Sequence, residues 1–297
     1  MTTTYSLPKP IYNPQNIAFI LRIGLGVLFV IGGWNKLYQL LDPALADNIL
    51  ASYTGPRGYI NAFFADFLFV KGPFTPWGFL TALSAFELMS GILLIVGFLV
   101  RPIALIFAFL LWSFVISLPV STETGGNYLA PAALVQARDI GLSGMMFVVF
   151  VLGAGKHACD NKIFNATSTQ PSWDNLGLVL RLSVALPLLV GGAFAGMVDI
   201  KTFGVPGWGL FLTGALLVTG IGVRWAATAF IAILVFYIAT KFSFEKSMIS
   251  NLNSVKREFA FLAACAVLII TGGGTLFTPK DILGRIRFAT ARKIVAQ

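Results

Sequence analysis

Eight long apolar runs, parted by short polar breaks, organise this 297-residue chain. They cover about Ile17 to Leu37, Trp77 to Leu99, Pro102 to Val120, Gln136 to Gly153, Leu176 to Met197, Gly207 to Gly222, Trp225 to Thr240 and Arg257 to Phe277. None shows the strict two-residue alternation of a membrane barrel strand, and most approach the roughly 20 residues with which a helix crosses a bilayer. The pattern predicts an all-α integral membrane protein of about eight transmembrane helices, the sixth one short. Tight breaks at Arg101-Pro102 and Arg224-Trp225 predict a helical hairpin closed by an arginine in each half. Residues Met1 to Asn16 are polar and lack a cleavable signal pattern, so Ile17 opens a retained first span.

The runs also repeat. RIGLGVLFVIGG from Arg22 is echoed by RLSVALPLLVGG from Arg181, and GILLIVGFLVR from Gly91 by GALLVTGIGVR from Gly214. ARDIGLSGMMFVVFVLGAG from Ala137 is echoed by KREFAFLAACAVLIITGGG from Lys256. Three matches in the same order predict two tandem four-helix repeats. Because each holds an even number of spans, the two copies run parallel. The expected organisation is a first repeat over residues 1–155, a cytoplasmic linker over 156–175, and a second, diverged repeat with a basic tail over 176–297. The first repeat carries a long outer loop, residues 37–76, whose counterpart from Asp199 to Pro206 is only a few residues long. Within it, Ile60, Phe63, Phe64, Phe67 and Val70 fall at helical spacing. That predicts a short helix at the outer surface, read either as a structural lid or as a wall of a lipid-soluble ligand's entrance.

Composition agrees with the membrane reading: 57% of residues are hydrophobic, 11% are charged, and the mean hydropathy is +0.84. Under the eight-span topology, twelve Lys and Arg against three Asp lie on the side of the termini, so the whole net charge of +9 sits there. By the positive-inside rule the termini are cytoplasmic and the protein resides in the inner membrane. The same bias reads the high pI as a topology signal toward anionic lipid and speaks against nucleic-acid binding. Cys159 in the linker and Cys265 inside the last span are too far apart in this topology for a disulfide.

Few residues could carry chemistry. Glu87 is the one carboxylate well inside a predicted span, and a buried carboxylate must be paired, solvated or protonated. It reads as a proton acceptor or quinone hydrogen-bond partner, or else as a structural bond between helices. Lys36 ends the first span; it either snorkels to the interface or meets an anion or a quinone carbonyl. Arg138 with Asp139, and Arg257 with Glu258, start the fourth and eighth spans and suit an ion pair or helix-end anchor, an acid in the first turn complementing the helix dipole. Of the two arginines, Arg138 faces the outer loop and is the better candidate for an anionic substrate. Arg22, Arg181, Arg101, Arg224 and Arg257, being shared by the copies, read as structural. Glu87, Lys36 and the long loop belong to the first copy alone and mark where a site belongs; Glu87 aligns with Leu210 when glycine and arginine spacing is kept, or with nothing when the Trp-Gly segments are matched instead.

With His157 as the only histidine, a bis-histidine haem and histidine-rich copper or di-iron sites are excluded, and no metal site is evident. A CxxC pair, a dinucleotide glycine fingerprint and a phosphate loop are also absent. Redox chemistry would have to pass through a quinone, a thiol or a partner's cofactor. RIGLGVLFVIGGWNKL, the acid-bearing ELMSGILLIVGFLVRPIA and ARDIGLSGMMFVVF resemble the DoxX/DoxD group of four-helix membrane proteins, with about Asn16 to Gly155 resembling it best and the second half a diverged, fused copy. The resemblance implies a membrane subunit of thiosulfate:quinone oxidoreductase, coupling two thiosulfates to tetrathionate and passing the electrons to quinone as co-substrate. Carried onto this chain, it puts anion oxidation at the outer loops near Arg57, Lys71 and Arg138, and quinone near Glu87 and Lys36, the two catalytic candidates. The other readings are a non-catalytic anchor or scaffold for a partner redox enzyme, packing through small-residue helix faces, and a transporter with parallel repeats. Expected partners are membrane lipid, quinone, and a partner subunit or a second copy of the chain.

Overall fold

The computed structural model describes residues 13–54, 58–118, 132–164, 171–194, 203–279 and 281–282. Their regular structure is entirely helical. In the first half α1 (Pro14–Leu41) is followed by α2 (Pro43–Thr54) and by α3 (Ala62–Ala65), which runs on into a π-helical turn at Asp66–Val70. Then come α4 (Pro76–Val96), α5 (Val100–Ser117), α6 (Ala132–Leu152) and the short α7 (Cys159–Ile163). The second half holds α8 (Trp173–Ala193), α9 (Gly207–Thr219), α10 (Val223–Lys241), α11 (Met248–Ser254) and α12 (Lys256–Thr271).

All eight expected runs form helices. Six of them, α1, α4, α5, α6, α8 and α10, are long and apolar enough to cross a membrane. The other two are shorter than expected, α9 with 13 residues and α12 with 16. At 1.5 Å per residue they reach roughly 20 and 24 Å, short of a hydrocarbon core of about 30 Å. Both are stopped by glycine in the left-handed region, Gly220 at φ 72° and Gly272 at φ 77°. The long loop departs most from expectation, since it is largely helical. It builds a small core from Leu40, Ile49 and Ile60 packed against Leu80 of α4.

Buried arginines organise one end of the bundle. Arg22 is wholly buried, and its guanidinium donates to the carbonyls of Leu94 (2.8 Å), Ile95 (2.5 Å), Lys156 (2.9 Å) and His157 (3.1 Å). The first two belong to the last turn of α4, where carbonyls lack intrahelical donors. Arg181 is buried alike and donates to Leu217 (3.3 Å) and Val218 (3.4 Å) in the last turn of α9, and to Leu276 (2.6 Å). Arg101 lies over Gly153 and Arg224 over Gly272, both glycines having positive φ.

The helix contacts recur in step. Gly33 abuts the backbone of Ser84 and Leu88 on α4, while Gly192 abuts that of Gly207 and Phe211 on α9. Gly91 lies against Gly26 and Val30, and Gly214 against Ala185 and Leu189. From Ser84 to Gly207 and from Leu88 to Phe211 the shift is 123 residues in each case, and the same shift carries Glu87 onto Leu210. Spacing, rather than the Trp-Gly match, therefore gives the register. The halves also exchange helices: α1 packs on α12 with Gly24 against Phe259, Ala260 and Ala263, and α8 packs on α6 with Ser183 against Gly141 and Gly144. One continuous core runs through both.

Candidate functional site

Where α1, α4, α6 and α12 converge near the α2–α3 segment, the apolar bundle opens into a cavity of about 60 Å³. Lys36, near the C-terminal end of α1, and Glu87, midway along α4, meet there as a buried ion pair. Gly33 sets the distance between their helices, because a Cβ at that position would fall 2.5 Å from the Leu88 nitrogen. The Lys36 ammonium also lies 5.7 Å from the centre of the Tyr53 ring. Two residues expected singly as catalytic candidates thus form one unit.

Three further charges line the same cavity. Arg257 Nε stands 3.9 Å from Asp139 Oδ1, and Arg257 Nη2 donates to the Tyr59 hydroxyl at 3.1 Å. Lys256 donates to Asn253 Oδ1 at 2.7 Å, and its ammonium rests against Gly32 of α1. Counted by formal charge, Lys36, Lys256 and Arg257 against Glu87 and Asp139 leave one positive charge in excess on the lining. Buried Asp139 Oδ2 has no hydrogen-bond partner among the described residues. Burial pushes the Tyr59 phenol above its usual range, with Arg257 pulling the other way, so Tyr59 faces the cavity as a neutral hydroxyl. The arrangement offers cationic donors, the Tyr59 hydroxyl beside the Tyr53 ring, and two carboxylates around a space walled by Leu28, Phe29, Leu111 and Leu142. Such a site can hydrogen-bond a polar head, hold negative charge that develops on it, and exchange protons.

The other expected site residues fall elsewhere. Lys71 pairs with Asp66 at 2.5 Å on the surface, where 72% of its side chain is exposed, and does not line the cavity. Arg57 lies outside the described residues, as does most of the loop before α6 and the basic tail from Arg285. Arg138 is buried, yet its Nε has no hydrogen-bond partner among the described residues, and the cavity is lined by Arg257 in its place. The neighbour pairs expected at the starts of α6 and α12 do not form among the described residues; Arg257 reaches across to Asp139 in the other half. Arg257 is therefore at the site, whereas its position in both copies had marked it as purely architectural. Tyr53, Tyr59, Asp139 and Lys256 were not expected there. An aromatic-charged pattern at the ends of the runs was the only signal, and it does not separate a site from an interfacial belt. Among the described residues no group of His, Cys, Asp and Glu could hold a metal ion.

The DoxX family model matches residues 17–118, which run from α1 through α5 and include Lys36, Tyr53, Tyr59 and Glu87. The chain carries a DoxX domain. Two-thirds of the cavity wall, with its buried ion pair, belongs to that DoxX domain, while α6 and α12 close it from outside the matched stretch. No match was found among curated proteins or among solved structures.

Proposed function

We propose that this DoxX protein is the quinone-facing membrane part of an oxidoreductase for a reduced sulfur anion such as thiosulfate. The observation that carries the reading is the Lys36–Glu87 pair, buried in an apolar bundle and open to a cavity with an excess positive charge. Burying two ions in a membrane helix bundle is costly even when they pair, and that cost supports a role for them beyond stability. In this reading two thiosulfates are joined to tetrathionate with the release of two electrons, and a quinone takes up those electrons with two protons. Glu87 relays protons to the quinone oxygens. Lys36 and Arg257 donate hydrogen bonds to its carbonyls and steady the negative charge that builds there before protonation. Resemblance to the DoxX/DoxD group supports thiosulfate as the donor.

The same reading takes the chain as two fused four-helix units, eight spans in all, with both termini in the cytoplasm. The contact-for-contact match of the halves supports the duplication, and the charge bias supports the orientation. The anchor reading is weakened by where the small residues go, since Gly24, Gly141 and Gly144 are consumed between the halves of this chain. Its test is binding and turnover with the purified full chain. Wild type should bind a benzoquinone analogue and reduce it with thiosulfate, and Glu87→Gln should lower turnover about tenfold or more at a temperature well below its own melting, where its helical signal still equals that of wild type. Wild-type protein with neither turnover nor quinone binding overturns the reading.

A further inference from the structure

A second pocket adjoins the charged cavity and differs from it in kind. Of about 230 Å³, it lies beneath α3, between α4 and α5, and is walled by Ile60, Phe64, Leu68, Phe79, Leu83 and Leu110. Its two serines expose little polarity: Ser113 donates to the Leu110 carbonyl at 2.7 Å and Ser117 to the Ser113 carbonyl at 2.8 Å. An apolar space of this size repels water and takes up apolar molecules, so hydrocarbon suits it better than water does.

Two observations say which hydrocarbon. Tyr53, Tyr59 and Phe114 line both spaces, so the pockets are neighbours across a wall of aromatic rings. Tyr59 is the hinge of this wall, with its hydroxyl on Arg257 on the charged side and its ring edge-on to Phe114 at 5.2 Å on the apolar side. The outer face of the α3 segment is apolar as well, with Phe63 73% and Val70 77% exposed, and such a face sits in lipid rather than in water. The apolar pocket therefore opens toward the bilayer, while its inner end meets the charged cavity.

We propose that the pocket beneath α3 holds the hydrocarbon tail of the membrane ligand whose head enters the charged cavity, with Tyr59 at the neck between them. The proposal rests on the quinone reading above and adds the tail as a recognised part of the substrate. The α3 segment is thereby the side door through which a prenyl or alkyl chain passes from the membrane.

Two probes separate head from tail: a benzoquinone bearing a decyl chain, and the same ring with a methyl group in its place. Both are titrated into the detergent-solubilised full chain, as wild type and as Ser113→Phe, which fills the pocket; Ser113→Leu serves if the phenylalanine variant melts early. A phenylalanine there overpacks the space the chain occupies while the bound head holds the chain in place, so the decyl probe should lose about tenfold or more, and the methyl probe less than about twofold. Equal weakening of both probes, or of neither, overturns the tail site while the quinone reading stands. Failure of both probes to bind wild type overturns the quinone reading, and the tail site falls with it.

Discussion

The two halves share a skeleton and differ in what fills it. Arg22 and Arg181 hold the ends of α4 and α9 in the same way, and Gly33 and Gly192 bring equivalent helices equally close. Where the first half places Glu87, the second has Leu210, wholly buried in the core. Where Tyr59 meets Phe114 edge-on beside an open cavity, Phe203 of the short second loop meets Tyr237 at 5.1 Å and Phe230 at 6.1 Å and is itself buried. A long loop that builds a small core against α4 leaves space above the bundle; a short one drops an aromatic ring in. Scaffold and site are thus separable, and the second half contributes Lys256 and Arg257 to the first half's cavity.

The largest effect is expected from breaking the ion pair on one side. Lys36→Met leaves Glu87 buried without its cation and should cost about 3–5 kcal/mol of stability, the usual range for such a change. Making the first half resemble the second, with Lys36→Met and Glu87→Leu together, should recover most of that loss while abolishing quinone binding. Melting of the two single variants and the double variant gives the cycle. A double variant as unstable as Lys36→Met would show that the charges hold the fold rather than the site. The reverse substitution sharpens the contrast. Leu210→Glu puts an unpaired carboxylate into a filled core and should destabilise by about 3 kcal/mol without creating a second quinone site, as one binding isotherm at single stoichiometry would confirm.

Much of this contrast was legible in the chain and some of it was not. Apolar runs and punctuating glycines reveal eight helices and their repetition because lipid imposes long, uniformly apolar segments. Glu87 and Lys36 stand out because they break that rule. That they meet depends on the α1–α4 contact at Gly33, which joins residues 51 positions apart and leaves no local pattern. Arg257 and Lys256 were hidden for a different reason. A cation at the start of a membrane helix reads as an interfacial anchor, and only the crossing of α12 onto α1 turns it inward. Lys71 misled in the opposite sense, since a lone basic residue in an outer loop looks available until the π-helical turn brings Asp66 beneath it. The shortness of α9 and α12 follows from single glycines whose backbone angles the sequence does not state.

The shared arginines allow a finer comparison. Arg22 closes four carbonyl contacts, the longest 3.1 Å, whereas Arg181 closes three, two of them beyond 3.2 Å. Replacement by leucine should cost about 3 kcal/mol at Arg22 and about 2 kcal/mol at Arg181, because the carbonyls left behind lose a charged donor in a buried setting. Melting temperatures of the two variants check the order. Equal losses would mean that water reaches both helix ends and makes the contacts interchangeable.

The smallest expected effect lies at the hairpin turns, where the halves solve one geometric problem with different residues. Leu99, before α5, holds the left-handed region at φ 52°, and Gly222, before α10, holds it at φ 59°. A leucine pays about 1 kcal/mol for that conformation, and a glycine does not. Leu99→Gly should therefore be close to neutral, relief of strain being offset by lost packing of a side chain that is already 40% exposed. Gly222→Leu should destabilise by about 1 kcal/mol, although a Cβ there meets nothing within 4 Å. The turn of the first half is further held by Asp160, whose carboxylate accepts from the Leu99 nitrogen at 2.8 Å and the Val100 nitrogen at 3.0 Å. Asp160→Ala should then cost about 1–2 kcal/mol as a lost helix cap, and combining it with Leu99→Gly should recover part of that loss. If the glycine fails to compensate, Asp160 holds α7 against the bundle rather than the strained turn in place.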